Sequence, residues 1–278
     1  MWDQKFIFSD RKQMENEVKT IPFYNRLPFI LAMILLCLLM VGHLVLSLKA
    51  PVKKLREIRV QYGFVQDIKN PVNERILTDS AFLALMKEKA YYQSRVAMAA
   101  TDSIYMTINL GDSTLNLEIS GVVVHTAEIK KIKLSHILKR DEYPVLNMLS
   151  TPFVITADYS TIKKEPVMIK MAPKDTSEYQ PDIIPDTADY EPVNFILLME
   201  NGVKIHIYQG EKLRAGDNLN RFLFDLRDRL RITTSTLFST IRFRVPEYYP
   251  YIRIRLARAD SKRIYRALPY RGQAGLYR

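Results

Sequence analysis

The chain has 278 residues, of which 47% are hydrophobic, and this composition excludes a disordered tail. The length leaves room for a membrane segment with one good-sized domain or two small ones. A single cysteine, Cys37, excludes an internal disulfide and a cysteine-based metal site, and makes a thiol enzyme a poor fit.

The formal net charge of +11 is concentrated at one end of the chain. Residues 212–278 contain 16 lysines and arginines against five acidic residues, and 14 of the 16 are arginines. Arginine is suited to forked, planar contacts with carboxylates and phosphates, so the composition favours an anionic partner. The alternative is that several of these arginines pair with the chain's own acidic residues.

The four histidines are scattered along the chain, with no helical pairing and no carboxylate cluster at ligand spacing. They are His43, His125, His136 and His206. The sequence therefore predicts no metal site and no cofactor.

Residues 27–48 contain no formal charge and are bracketed by Arg26 and Lys49. A helix of this length spans roughly 33 Å, enough to cross a bilayer core. We predict a single transmembrane helix that acts as a signal anchor, because the apolar run is too long for a cleaved signal peptide. The flanking positive charges balance, so they do not select an orientation. We expect residues 1–26 to form a cytoplasmic tail and the rest to be extracytoplasmic.

Residues 49–100 read as a charged stalk and helical spacer, with strand character at 57–65 and a helix at 74–99. From residue 104 the hydrophobic period changes to two, with short turn signals between the runs, which is typical of a β-meander. The pattern returns at 194–199 and 203–209, where Asn201-Gly202 indicates a tight hairpin. We therefore predict a mainly β domain, a meander or sandwich of the α+β class with a few helices, over residues 101–278.

Two segments interrupt the strands. Residues 172–192 are rich in proline and acidic residues, which predicts a surface loop, either a lid over a groove or, as we favour, a solvated insertion. After it, Asp217 can cap a helix with an apolar stripe. We expect that stripe to pack on the sheet and the charged face to be solvated. The stripe consists of Leu219, Phe222, Leu223, Leu226 and Leu230.

Residues 248–269 read as a basic strand followed by a short helix. The stretch RIRLARADSKRIYRALP, at 253–269, resembles the end of the L,D-transpeptidase catalytic domain (YkuD-like fold), where Ser-His-Gly-Cys-Ile-Arg-Leu precedes a short helix. The hairpin at 103–129 and the Thr-Pro of STPFVITADYS, at 150–160, are similar to other parts of that family. His206 matches the family's first active-site histidine. The resemblance covers about residues 101–271 and implies a transpeptidase-like β domain.

This sequence departs from the family at the catalytic positions. Tyr251, Ile252 and Arg253 stand where the family has histidine, glycine and the nucleophilic cysteine. Arginine is permanently protonated and is not a nucleophile, so the resemblance implies a pseudoenzyme. The step from His206 to Arg253 is also longer than the family pattern, which makes the intervening helix look like an insertion.

The hypothesis that we favour is an anchored, inactive L,D-transpeptidase-like protein of the bacterial inner membrane. Its periplasmic domain would bind peptidoglycan stem peptides or an envelope partner, through a groove that contains Tyr251, Arg253, Arg255 and His206. Arginine would hold carboxylates and tyrosine would stack or donate. The competing interpretation is that strand alternation places the two arginines on a solvent face, with the intervening apolar residues in the core. Both can hold at once.

A second hypothesis is a scaffold subunit of an inner-membrane complex, with complementary acidic and basic patches. Anionic lipid headgroups could add to either function. We do not expect nucleic-acid binding, because no recognition module is present. Neither do we expect an enzyme that uses Ser261 or Tyr251, because the sequence places no base beside either residue.

Overall fold

The computed structural model describes residues 23–63, 79–164, 192–211 and 215–278. Residues 172–191 of the predicted acidic loop and most of the N-terminal tail lie outside the described residues. The elements in chain order are α1 (Phe23–Tyr62), α2 (Ser80–Ala99), β1 (Tyr105–Asn109), β2 (Thr114–Ile119), β3 (Val122–Glu128), β4 (Lys131–Leu134), a 3₁₀ turn (Ile137–Lys139), α3 (Tyr143–Leu149), β5 (Phe153–Ser160), β6 (Asn194–Met199), β7 (Lys204–Gln209), α4 (Ala215–Ile241), β8 (Tyr251–Leu256), α5 (Arg258–Ala267) and β9 (Gln273–Tyr277).

The nine strands form one mixed sheet in the order β3-β2-β1-β9-β5-β6-β7-β8-β4. Only the pairs β1–β9 and β7–β8 are parallel. The two edge strands, β3 and β4, are consecutive in the chain and are separated by residues 129–130 alone. The sheet must therefore curl back on itself, and its inner face encloses one apolar core. This architecture agrees with the predicted mainly β domain.

Helix α1 is one continuous element that joins an exposed apolar segment to a segment packed into the domain. Residues Pro28–Tyr62 are long and apolar enough to cross a membrane by length and composition, and the apolar window has a mean hydropathy of 2.8. Further along, Leu55 and Ile58 are buried in the same core as the sheet. The strand character predicted at 57–65 is wrong for 57–62, where the helix continues. Its i, i+3 spacing of buried residues is satisfied by packing against α3 and the core.

The tight hairpin predicted at Asn201-Gly202 is confirmed. Strand β6 ends at Met199 and β7 begins at Lys204, and the backbone N–H of Gly202 donates to the carbonyl of Met199 at 2.9 Å. Gly202 has φ +80°, a left-handed conformation that favours glycine. The basic strand and helix predicted at 248–269 are also present, as β8 and α5.

The orientation predicted for α4 is wrong. The helix does lie over the sheet, but it begins before Asp217, so that residue lies in the first turn rather than at the cap. Leu219, Phe222, Leu223 and Leu230 of the predicted buried stripe are exposed. The charged face contacts the sheet instead, because the outer face of β7 is itself polar.

Candidate ligand-binding site

Strands β7 and β8 place the predicted site residues on one face of the sheet. The parallel register pairs Lys204 with Tyr251, His206 with Arg253, and Tyr208 with Arg255. Side chains alternate across a strand, so these six point outward, away from the core. The intervening Ile252 and Ile254 are fully buried in the core. The alternation predicted for β8 is therefore confirmed.

Strand β4 adds two lysines to this face. It pairs antiparallel with β8, and the register sets Lys131 beside Arg255 and Lys133 beside Arg253. Four cations from two neighbouring strands thus share one surface. Sequence reasoning missed both lysines, although the alternation in KIKL, residues 131–134, was a signal of a strand with a basic face.

Helix α4 closes this surface into a cavity of about 210 Å³. The cavity has five cationic side chains and one carboxylate in its lining. The lining residues are Lys131, Lys133, Tyr208, Arg221, Asp225, Arg253, Ile254 and Arg255. The excess of positive charge in a half-enclosed space favours an anion. Arg221, Asp225 and Tyr208 were also missed by sequence reasoning, since α4 was expected to face the sheet with its apolar side.

Most cations in the cavity have no carboxylate partner in the part of the chain that the structure describes. Among the described residues, no ion pair of 4.0 Å or less engages Lys131, Lys133, Arg253 or Arg255. The Nε of Arg253 is buried without a hydrogen-bond partner, and its guanidinium lies 4.9 Å from the ring centroid of Tyr251. A buried unpaired donor is costly, so this group is suited to meet an acceptor from a ligand.

Asp225 forms no ion pair of 4.0 Å or less with the described cations of the cavity, and its carboxylate instead accepts a hydrogen bond from a neighbouring phenol. The Tyr208 hydroxyl donates to Oδ1 of Asp225 at 2.8 Å, and the guanidinium of Arg221 stacks 4.8 Å from the Tyr208 ring centroid. Burial, followed by the charge of Asp225, raises the pKa of Tyr208 far above its usual value. Tyr208 therefore remains a neutral donor.

His206 lies behind the cavity and does not line it. It is 5% exposed, and its Nδ1 is 3.3 Å from the Tyr208 oxygen. Because the Tyr208 proton points to Asp225, that oxygen is left to accept from Nδ1–H of His206. Burial, and then the charge of Arg253, lower the pKa of His206 to about 4. The imidazole is therefore neutral at physiological pH.

The structure thus brings the four predicted groove residues onto one face of the sheet, but only two of them line the cavity. Arg253 and Arg255 line the cavity, Tyr251 lies under the guanidinium of Arg253, and His206 is next to Arg253 in the strand register. Their use as a ligand groove stays a prediction. The cavity's described lining contains no serine, threonine or cysteine. Ser261, an alternative nucleophile, is fully buried.

A second cavity, of about 270 Å³, lies on the other side of α4. Its lining includes two carboxylates, Asp158 and Asp228, and two arginines, Arg227 and Arg231. These charges balance, and Arg231 stacks on Tyr159 at 3.9 Å from the ring centroid. Of the two cavities beside the sheet, the first therefore carries the excess of positive charge that favours an anion.

No protein-family model matches the chain, and the searches of curated proteins and of solved structures give no significant match.

Proposed function

We propose that this protein is a membrane-anchored, catalytically inactive L,D-transpeptidase-like protein of the bacterial cell envelope. Helix α1 crosses the inner membrane, and the domain that follows lies in the periplasm. The basic cavity between α4, β4 and β8 binds carboxylate groups of peptidoglycan stem peptides.

The observation that carries the proposal is a set of cations around one small cavity that have no carboxylate partner among the described residues, above all Arg253 with its buried Nε. A guanidinium matches a carboxylate through two parallel hydrogen bonds. A cavity of about 210 Å³ is smaller than the usual small-molecule site of about 300 Å³ or more. It therefore suits one carboxylate-bearing residue of a longer chain, with the remainder of the ligand outside.

The chemistry of the same residues supports binding without turnover. Arg253 stands where the resembled family has its cysteine, and it offers donors but no nucleophile. His206, which pairs with it in register, is neutral and donates to Tyr208. No described residue of the cavity supplies the thiolate that the family's acyl transfer requires.

The test uses the full chain in detergent micelles with defined stem-peptide muropeptides, scored by calorimetry for binding and by mass spectrometry for crosslinked product. The double variant Arg253→Gln/Arg255→Gln should bind about a hundredfold more weakly, since each charged hydrogen-bonding group contributes about 1.5 kcal/mol. Arg229→Gln/Arg271→Gln is the matched control, because it removes the same charge from exposed positions outside the cavity.

A muropeptide with amidated carboxylates should lose affinity for the wild-type chain to the same extent as the double variant does for the unmodified ligand. Crosslinked product would overturn the proposed lack of catalysis. Equal binding by the double variant and its control would overturn the carboxylate site. If the wild type does not bind at all, the scaffold function becomes the better hypothesis.

A further inference from the structure

Helix α4 presents an apolar face to the outside of the protein. The charged side of the helix is engaged with the sheet through Asp225 and Asp228, and the described residues leave most of the opposite, apolar side exposed. The exposed apolar side chains on this helix and just after it are Leu219, Phe222, Leu223, Leu230, Leu237, Phe238, Ile241 and Phe243. An apolar stripe of this extent on a surface helix indicates a partner or a membrane.

The C-terminal end of α4 lies against the apolar span of α1. Nδ1 of His43 is 3.0 Å from Oγ1 of Thr240, and Thr240 is buried. On α1, positions 42, 43, 46 and 47 are half-buried, whereas residues 28–41 are exposed. The two helices therefore meet within the last two turns of the uncharged run 27–48.

The contact shows how far α4 extends along the apolar span, measured from the end of the span at Leu48. The first half-buried position of α1 is Gly42, six positions earlier, which is roughly 9 Å along a helix. Amphipathic helices at a bilayer surface bury their apolar face by about 5–10 Å. Phe238 and Ile241 are close to Thr240 in sequence, so they lie at about the same level along α1 as His43. This level matches the depth of an amphipathic helix at a bilayer surface.

Polar groups beside this apolar tip match a phospholipid headgroup. Arg242 and Arg244 are exposed and, with three hydroxyls and Phe238, line an open surface concavity of about 460 Å³. The hydroxyl-bearing residues are Thr234, Ser235 and Ser239. The hydroxyls of Thr234 and Ser239 already donate to the helix carbonyls of Arg231 and Ser235. The two guanidinium groups beside the Phe238 ring are therefore the donors that suit a phosphate above an acyl chain.

We infer that the C-terminal half of α4 inserts into the bilayer beside α1, with Leu237, Phe238, Ile241 and Phe243 among the acyl chains. Arg242 and Arg244 contact the phosphates of the same leaflet. The domain is then held to the membrane at two places, which fixes its orientation as well as its distance from the surface. The inference rests on the proposed membrane anchoring by α1.

The test places single tryptophans in the full chain, reconstituted in nanodiscs that contain brominated lipids. Trp2 is the only native tryptophan, so Trp2→Phe provides the background. Three reporters are compared: Phe238→Trp on α4, Leu35→Trp in the apolar span, and Val122→Trp as the matched control. Phe238 and Val122 are both 65% exposed. Val122 lies on the edge strand β3, and the carbonyl of the preceding Gly121 accepts from Arg95, near the C-terminal end of α2.

Bromine near the headgroup should reduce the emission of the Phe238→Trp reporter about twofold or more, as an interfacial depth predicts. Deep bromine should quench the Leu35→Trp reporter, and the Val122→Trp reporter should not respond. Quenching at 35 without quenching at 238 overturns the inference and leaves the anchor intact. Absence of quenching at both positions overturns the anchor and, with it, this inference.

A second copy of the chain is the competing occupant of the apolar face. In a Cys37→Ser background, a Phe238→Cys variant would then form an intermolecular disulfide under mild oxidation in the same nanodiscs. Efficient crosslinking together with an unquenched reporter would assign the face to self-association and reject the lipid contact. A monomeric product with a quenched reporter supports the lipid contact.

Discussion

Lys204 Nζ lies 3.0 Å from Oδ1 of Asp228, and this ion pair joins the outer face of β7 to the charged face of α4. The two side chains are only 8% and 11% exposed. A charge that is buried to this extent requires its partner. The pair therefore determines which side of α4 faces the sheet, and hence the shape of the basic cavity and the outward direction of the apolar stripe.

Removing one partner of this pair should destabilise the domain strongly. Asp228→Ala leaves the Lys204 ammonium buried without compensation, and we expect the free energy of unfolding to fall by about 3 kcal/mol. The measurement is urea denaturation of the full chain in detergent, followed by near-ultraviolet circular dichroism. Glu57→Ala is the control, because its contacts with Lys53 and Lys54 are half exposed and worth less than about 1 kcal/mol. Equal losses for the two variants would contradict this role of the pair.

Stability should depend on pH through His206. Burial lowers the folded-state pKa of His206 from 6.5 to about 4. Between these two pH values the unfolded chain therefore binds a proton at His206 more readily than the folded protein does. The protein should therefore lose about 3 kcal/mol from this group as the pH falls from 7 to 4. Urea titrations at pH 7, 5.5 and 4 should show a smaller loss for His206→Gln. The exposed His136→Gln variant should retain the wild-type loss, and identical slopes for all three proteins would refute the assignment.

Polar substitutions on the outward face of α4 should be tolerated in detergent. Phe222 is 61% exposed, so Phe222→Gln should change the free energy of unfolding by no more than about 0.5 kcal/mol. Ile207 is fully buried on the core side of β7, so Ile207→Ala should lower the free energy of unfolding by about 3 kcal/mol. Denaturation midpoints measure both. A large loss for Phe222→Gln would show that the apolar stripe packs inside the protein, as the sequence pattern predicted.

The turn between β6 and β7 should require its glycine. Gly202→Ala forces a side chain into a left-handed conformation at φ +80°, with an expected cost of about 1 kcal/mol. A Cβ at this position would also meet Lys54 Nζ at 3.2 Å, a group that can move. Thermal unfolding is the measurement. Gly42→Ala is the matched control, because nothing lies within 4 Å of the added atom and no loss is expected.

Much of the fold could be predicted from local patterns. The period-two runs became β1, β2, β3, β6 and β7, and the basic strand and helix predicted at 248–269 became β8 and α5. Alternation and turn residues act over a few neighbouring positions, which is why these elements could be predicted. The candidate site was predicted in part for the same reason. Arg253 and Arg255 lie on the outer face of β8, as their spacing required.

The remaining site residues depended on contacts between distant parts of the chain. Lys131 and Lys133 join the cavity because β4 pairs with β8, more than a hundred residues later. Asp225 and Arg221 line the cavity because the charged side of α4 faces β7. Nothing in a short window of sequence specifies a partner strand.

The sequence correctly predicted that α4 is an amphipathic helix, but the prediction that its apolar side packs on the sheet was wrong. The sequence by itself determined that one side of this helix is apolar and the other charged, since that follows from helical geometry alone. Which side faces the sheet was decided by tertiary structure. The pairing of β7 with β8 had already created a polar surface of Lys204, His206 and Tyr208, and buried charges are stable only against opposite charges and donors.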